Sequence, residues 1–74
     1  MEQDYSQAMD WFRKAAEQGN AYAQTAIGQM YRDGEGVEQD YAKAMDWFRK
    51  AAEQGYADAE AQLEELSRDL QPQN

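Results

Sequence analysis

The chain has 74 residues, enough for one small domain, and it lacks both cysteine and histidine. That removes disulfides, thiolate nucleophiles, zinc–thiolate sites and the commonest general base. Fifteen Asp/Glu against seven Lys/Arg give a net charge of −8, which disfavours nucleic acid and anionic membrane as partners, and no apolar run approaches a membrane span.

The first predicted element is a helix over about 4–18. On a helical wheel Tyr5, Ala8, Met9, Trp11, Phe12, Ala15 and Ala16 fall on one side, with Ser6, Gln7, Asp10, Arg13, Lys14, Glu17 and Gln18 opposite. Asp4 is placed to cap its N-terminus and Gly19 to end it. Asp10–Lys14 and Arg13–Glu17 have (i, i+4) spacing on the wet face.

A second helix over about 21–33 carries Ala23, Ala26, Ile27, Met30 and Tyr31 on its apolar face, and the run Asp33-Gly34-Glu35-Gly36 ends it in a loop. That loop clusters carboxylates without the spacing of a calcium loop, and its glycines lack the Gly-Lys-Ser/Thr of a phosphate loop.

The third helix, about 40–54, is a near-copy of the first. Residues 38–55 match residues 2–19 at sixteen of eighteen positions, offset by 36, with only Ser6/Ala42 and Gln7/Lys43 differing. Seven Ile, Leu, Val and Phe residues would by composition suit a disordered chain, but such a period marks stacked two-helix units with an Ala- and aromatic-rich core. The fourth helix, about 57–70, has a narrower stripe of Ala59, Leu63, Leu66 and Leu70. The chain therefore reads as one all-α domain over 1–74.

Ala23-Gln24, Gly28, Met30-Tyr31, Gly34-x-Gly36-Val37, Asp40-Tyr41, Lys43-Ala44, Trp47-Phe48 and Ala51-Ala52-Glu53-Gln54-Gly55 together resemble the Sel-one-like repeat. This relative of the tetratricopeptide repeat stacks helix pairs into a right-handed solenoid. The resemblance spans nearly the whole chain and implies a short α-solenoid of four antiparallel helices: a half-unit, one full helix-pair unit over about 21–55, and a capping half-unit. It further implies a non-catalytic scaffold that binds a protein or peptide; the loop spacing and the missing His and Cys add the expectation of no cofactor and no metal. In the last half-unit Gly28 becomes Glu64, Tyr31 becomes Ser67, Ala26 becomes Gln62, and Gly34 and Gly36 become Leu70 and Pro72. These changes suit a polar end cap.

Two surfaces follow as expectations. The family's first helices line a concave wall, which places Tyr22, Thr25, Gln29 and Arg32 beside Asp58, Glu65 and Arg68 as a partner-binding stripe. The first helix lacks its own partner helix, so Tyr5, Met9, Trp11 and Phe12 form a second candidate, a self-association face for a homodimer. Trp11 and Trp47 lie at the edge of the apolar arc, where core packing is the competing expectation. The near-identity of the repeats also fits a designed sequence or a piece of a longer array.

Overall fold

A computed structural model describes residues 4–70 of the chain. It contains four helices: α1 (Tyr5–Glu17), α2 (Ala21–Asp33), α3 (Tyr41–Ala52) and α4 (Ala57–Leu70). No strand occurs among the described residues. Each helix packs on its neighbours in the chain, α2 most heavily on α3, and the molecule measures 43 × 26 × 18 Å. This elongated stack of helices is the α-solenoid arrangement implied by the period.

The helix starts are written in the sequence. The side chains of Asp4, Asn20 and Asp40 accept hydrogen bonds from the backbone N–H of Gln7, Ala23 and Lys43 at 3.0, 3.0 and 3.1 Å. Each satisfies a donor that the first helical turn leaves without a partner. The two aspartates therefore stand just outside helices that begin at Tyr5 and Tyr41.

The α2–α3 connection is tied to the end of α2. Gly34 takes the left-handed conformation (φ 72°) and its N–H donates to the Met30 carbonyl at 2.8 Å. Gln39 Nε2 donates to the Arg32 carbonyl at 2.8 Å, and the Asp40 N–H donates to the Tyr31 carbonyl at 2.9 Å. Gly36 lies directly against the Tyr5 backbone and Cβ, where a side chain of its own would collide. Pro72, which stands at the matching place after α4, lies outside the described residues.

Two apolar clusters hold the stack. Met9 and Ala16 of α1 meet Ala23, Ile27 and Met30 of α2. Ala44 and Phe48 of α3 meet Leu66 of α4, with Tyr31, Met45 and Leu63 packed around them. Phe48 and Ile27 are the largest fully enclosed side chains, and burial of such a group contributes roughly 1.5–3 kcal/mol. The ion pairs formed among the described residues are Arg32–Asp33, Arg49–Asp46 and Arg68–Glu64; the anticipated Asp10–Lys14 and Arg13–Glu17 pairs are not formed. No helix of the described residues is long and apolar enough to cross a membrane.

Candidate interaction surfaces

Helix α2 lies between α1 and α3, and this position decides what its polar residues do. Gln24 is buried, donates through Nε2 to the Ala16 carbonyl at 3.3 Å, and accepts at Oε1 from Gln54 Nε2 at 3.0 Å. One amide thus clips the ends of α1 and α3 to the middle helix. Sequence reasoning assigned Gln24 no such role; the signal was present in the Gln18 and Gln54 that recur at both helix ends.

The expected concave stripe is only partly a surface. Tyr22 is well exposed. Thr25 is not: it is 4% exposed, and its Oγ1 donates to the Ala21 carbonyl at 2.8 Å. Its place in the binding stripe is corrected, because a helix covered on two sides encloses a wider arc than its apolar stripe. Gln29 is half-buried. Arg32 is half-buried and engaged, with Nε and Nη2 on the Asp33 carboxylate at 3.0 and 3.1 Å and Nη1 on Gln62 Oε1. The Asp33 hydrogen bonds raise the pKa of this guanidinium, against the opposing effect of burial, so its charge is permanent. On α4, Asp58, Glu65 and Arg68 are exposed, and Arg68 reaches back to Glu64 at 3.0 Å. Gln62, which the sequence reading placed only as a cap change, is the residue that joins the two walls.

The expected self-association face divides likewise. Met9 is 5% exposed and belongs to the α1–α2 core, so it is corrected from surface to interior. Tyr5 is half-buried beneath the 34–37 loop, and its hydroxyl donates to Glu35 Oε2 at 3.4 Å. The negative charge of Glu35, reinforced by burial and by that hydrogen bond, holds the phenol pKa above its ordinary value. Trp11 is 74% exposed, which overturns its expected core packing, whereas Trp47 is half-buried with Lys50 Nζ 4.5 Å from its ring centroid. Phe12 is half-buried and meets Tyr22 edge to face, ring centroids 6.3 Å apart at 60°.

That last contact joins residues the sequence reading kept on separate surfaces. Ala8, Trp11, Phe12, Ala15 and Tyr22 line one shallow, mostly apolar groove along α1 and the start of α2. Their counterparts on α3 show why it is open. Ala44, Phe48 and Ala51 have no exposed surface, because α3 is covered by α2 on one side and α4 on the other. Ala8, Phe12 and Ala15 are half-buried, because among the described helices α1 packs mainly on α2. Among the described residues no three carboxylates converge as metal ligands, in the 33–40 loop or elsewhere.

Comparison with known proteins places this architecture. The family model of the Sel1 repeat matches residues 1–20 and 21–56. The crystal structure of a Sel1 repeat protein from Oxalobacter formigenes is similar to this chain at 40% sequence identity and a TM-score of 0.87. That similarity covers 93% of this chain and 28% of the Oxalobacter chain, so this chain spans under a third of that relative's length. No curated protein matches the chain. With family matches over α1 and over the α2–α3 pair, and an all-α stack that superposes on a solved repeat protein, the chain belongs to the Sel1 repeat family.

Proposed function

We propose that the protein is a non-catalytic scaffold module that docks a protein or peptide in the α1 groove. Sel1 repeats generally act in protein–protein interaction and are typically non-catalytic. The observation that carries the reading is the open groove itself: Trp11 and Tyr22 are 74% and 62% exposed and flank the half-buried Phe12. Aromatic side chains grouped on a rigid support are the usual anchors of an interface. The stripe formed by Gln29 and Arg32 with Asp58, Glu65 and Arg68 extends the contact surface along the α2 and α4 wall, with Tyr22 at its α1 end.

A selection from a displayed peptide library tests this reading. Peptides that bind the protein are expected to lose binding to the Trp11→Asp and Tyr22→Ala variants while those variants keep the helical spectrum of the parent. Binders indifferent to both substitutions would overturn the groove as the site.

A second reading uses the same groove: a homodimer in which α1 of one copy covers α1 of another about a two-fold axis. Asp10 and Lys14 beside Trp11 support it, since an antiparallel pair of such helices sets opposite charges across the axis. Sedimentation equilibrium separates the readings. The dimer requires the mass of two chains and its loss in Trp11→Asp; a single-chain mass at high concentration removes it.

A further inference from the structure

The groove has an occupied counterpart inside the same molecule. The covered face of α3 and the open face of α1 have nearly the same sequence, and α2 is the helix seated on α3. Three features of α2 make that seat. Gly28 admits the Phe48 ring: a Cβ there would come within 2.6 Å of Phe48 Cε1. Gln24 accepts from Gln54 at 3.0 Å. Tyr31 packs against the Ala44–Phe48 cluster, with Lys43 Nζ 5.5 Å from its ring centroid. On α1 the receiving groups recur as Phe12, Gln18 and Ala8; only Lys43 is changed, to Gln7.

Helix α4 is the α2 counterpart one period later, and it has lost all three features. Gln24, Gly28 and Tyr31 correspond to Glu60, Glu64 and Ser67. The residues that face the preceding helix remain apolar: Ala23, Ile27 and Met30 correspond to Ala59, Leu63 and Leu66. Glu64 and Ser67 therefore replace residues that meet the following helix, Glu60 replaces a glutamine that touches both neighbours, and the apolar residues that meet α3 are kept.

We propose that the α1 groove accepts a partner helix with the pattern Gln-x3-Gly-x2-Tyr, seated as α2 sits on α3. Glutamine meets the Gln18 amide, glycine receives the Phe12 ring, and tyrosine covers Ala8. The α4 of a second copy is refused, because Glu64 would drive a carboxylate into the Phe12 ring. Without that refusal, copies of this chain would meet by a heterologous contact that does not close, and would add head to tail. The inference rests on the α1 groove being the binding surface, and it specifies what fits there.

The test makes α4 itself the probe. In the triple variant Glu60→Gln, Glu64→Gly, Ser67→Tyr, α4 regains the three features on an otherwise unchanged chain. Sedimentation velocity across a concentration series is expected to show a mass that climbs with concentration and does not stop at a dimer. The unmodified chain should show no such climb. Adding Phe12→Glu, which spoils the acceptor and leaves α4 intact, should abolish the climb. A folded triple variant with the parent's mass at every concentration would overturn the inference, as would assembly indifferent to Phe12→Glu. Circular dichroism establishes folding; if Glu64→Gly costs too much helix, a peptide of residues 20–34, which carries Gln24, Gly28 and Tyr31, is the second probe. It is expected to bind the unmodified chain and not Phe12→Glu, and binding to neither would overturn the inference. Library peptides that need Trp11, together with a triple variant that does not assemble, would leave the groove a binding site and discard only this partner helix.

Discussion

Gly28 of α2 and Phe48 of α3 fit together between the central helices: a Cβ on Gly28 would lie 2.6 Å from Phe48 Cε1 and 2.7 Å from Cδ1. Two opposing magnitudes govern Gly28→Ala. Replacing a helical glycine gains about 1 kcal/mol of helix propensity. Forcing a methyl group into a fully enclosed ring costs about 1–3 kcal/mol, and Phe48 has no free space into which to retreat. The variant is therefore expected to melt below the parent in a thermal scan. A higher melting temperature would show that α2 and α3 separate cheaply.

The Gln24 amide ties three helices, so its loss should weaken both interfaces at once. Gln24→Leu preserves approximate size while leaving the Gln54 amide without its acceptor and removing the donor to the Ala16 carbonyl. An unpaired buried polar group costs about 1–3 kcal/mol. Urea denaturation should show a lower midpoint with an unchanged slope. A similar loss in Gln54→Ala, with the double variant no worse than Gln24→Leu alone, would identify the shared bond as the cause.

The two tryptophans should report different surroundings despite their matching sequence contexts. Trp11 stands 74% exposed and Trp47 is half-buried beside Lys50. Trp47→Phe is expected to leave red-shifted emission that acrylamide quenches readily, and Trp11→Phe to leave emission that is bluer and quenched less. Equal quenching in the two variants would mean that the α1 groove is covered in solution.

The Tyr5–Glu35 contact predicts a response to alkaline pH. The folded phenol has a raised pKa, so folding favours its protonated form. That contribution is complete below the ordinary tyrosine range and disappears as pH climbs through the raised value. Spectrophotometric titration should find one phenol ionising later than ordinary tyrosine, and Glu35→Gln should bring it back down. The same variant should lose less stability on raising the pH through that range. Retention of the late phenol in Glu35→Gln would assign the shift to burial alone.

Much of the architecture is local and so is legible in the chain. Asp4, Asn20 and Asp40 cap their helices by geometry confined to one turn, and Gly34 ends α2 by adopting a conformation that other residues resist. The 36-residue period gives the helix pairs and their order. The site was less legible, because burial depends on neighbours that a helical wheel does not contain. Thr25 looked like a surface residue and Met9 like part of an open face, yet α2 and α1 bury both against each other or within their own turn. Tyr22 and Phe12 were assigned to different surfaces, and their edge-to-face contact makes them one.

The sequence by itself determined that the chain is four amphipathic helices with a core of alanine and aromatics, because periodicity and capping are properties of adjacent residues. It could not assign different fates to Phe12 and Phe48, or to Trp11 and Trp47, since the stretches that hold them are nearly the same. Tertiary structure made that decision. Helix α3 stands between two partners and loses its apolar face to them, whereas α1 has a partner on one side and keeps Trp11 in the open. Burial is a property of position in the stack, so two near-identical segments become a core element in one place and an open groove in the other.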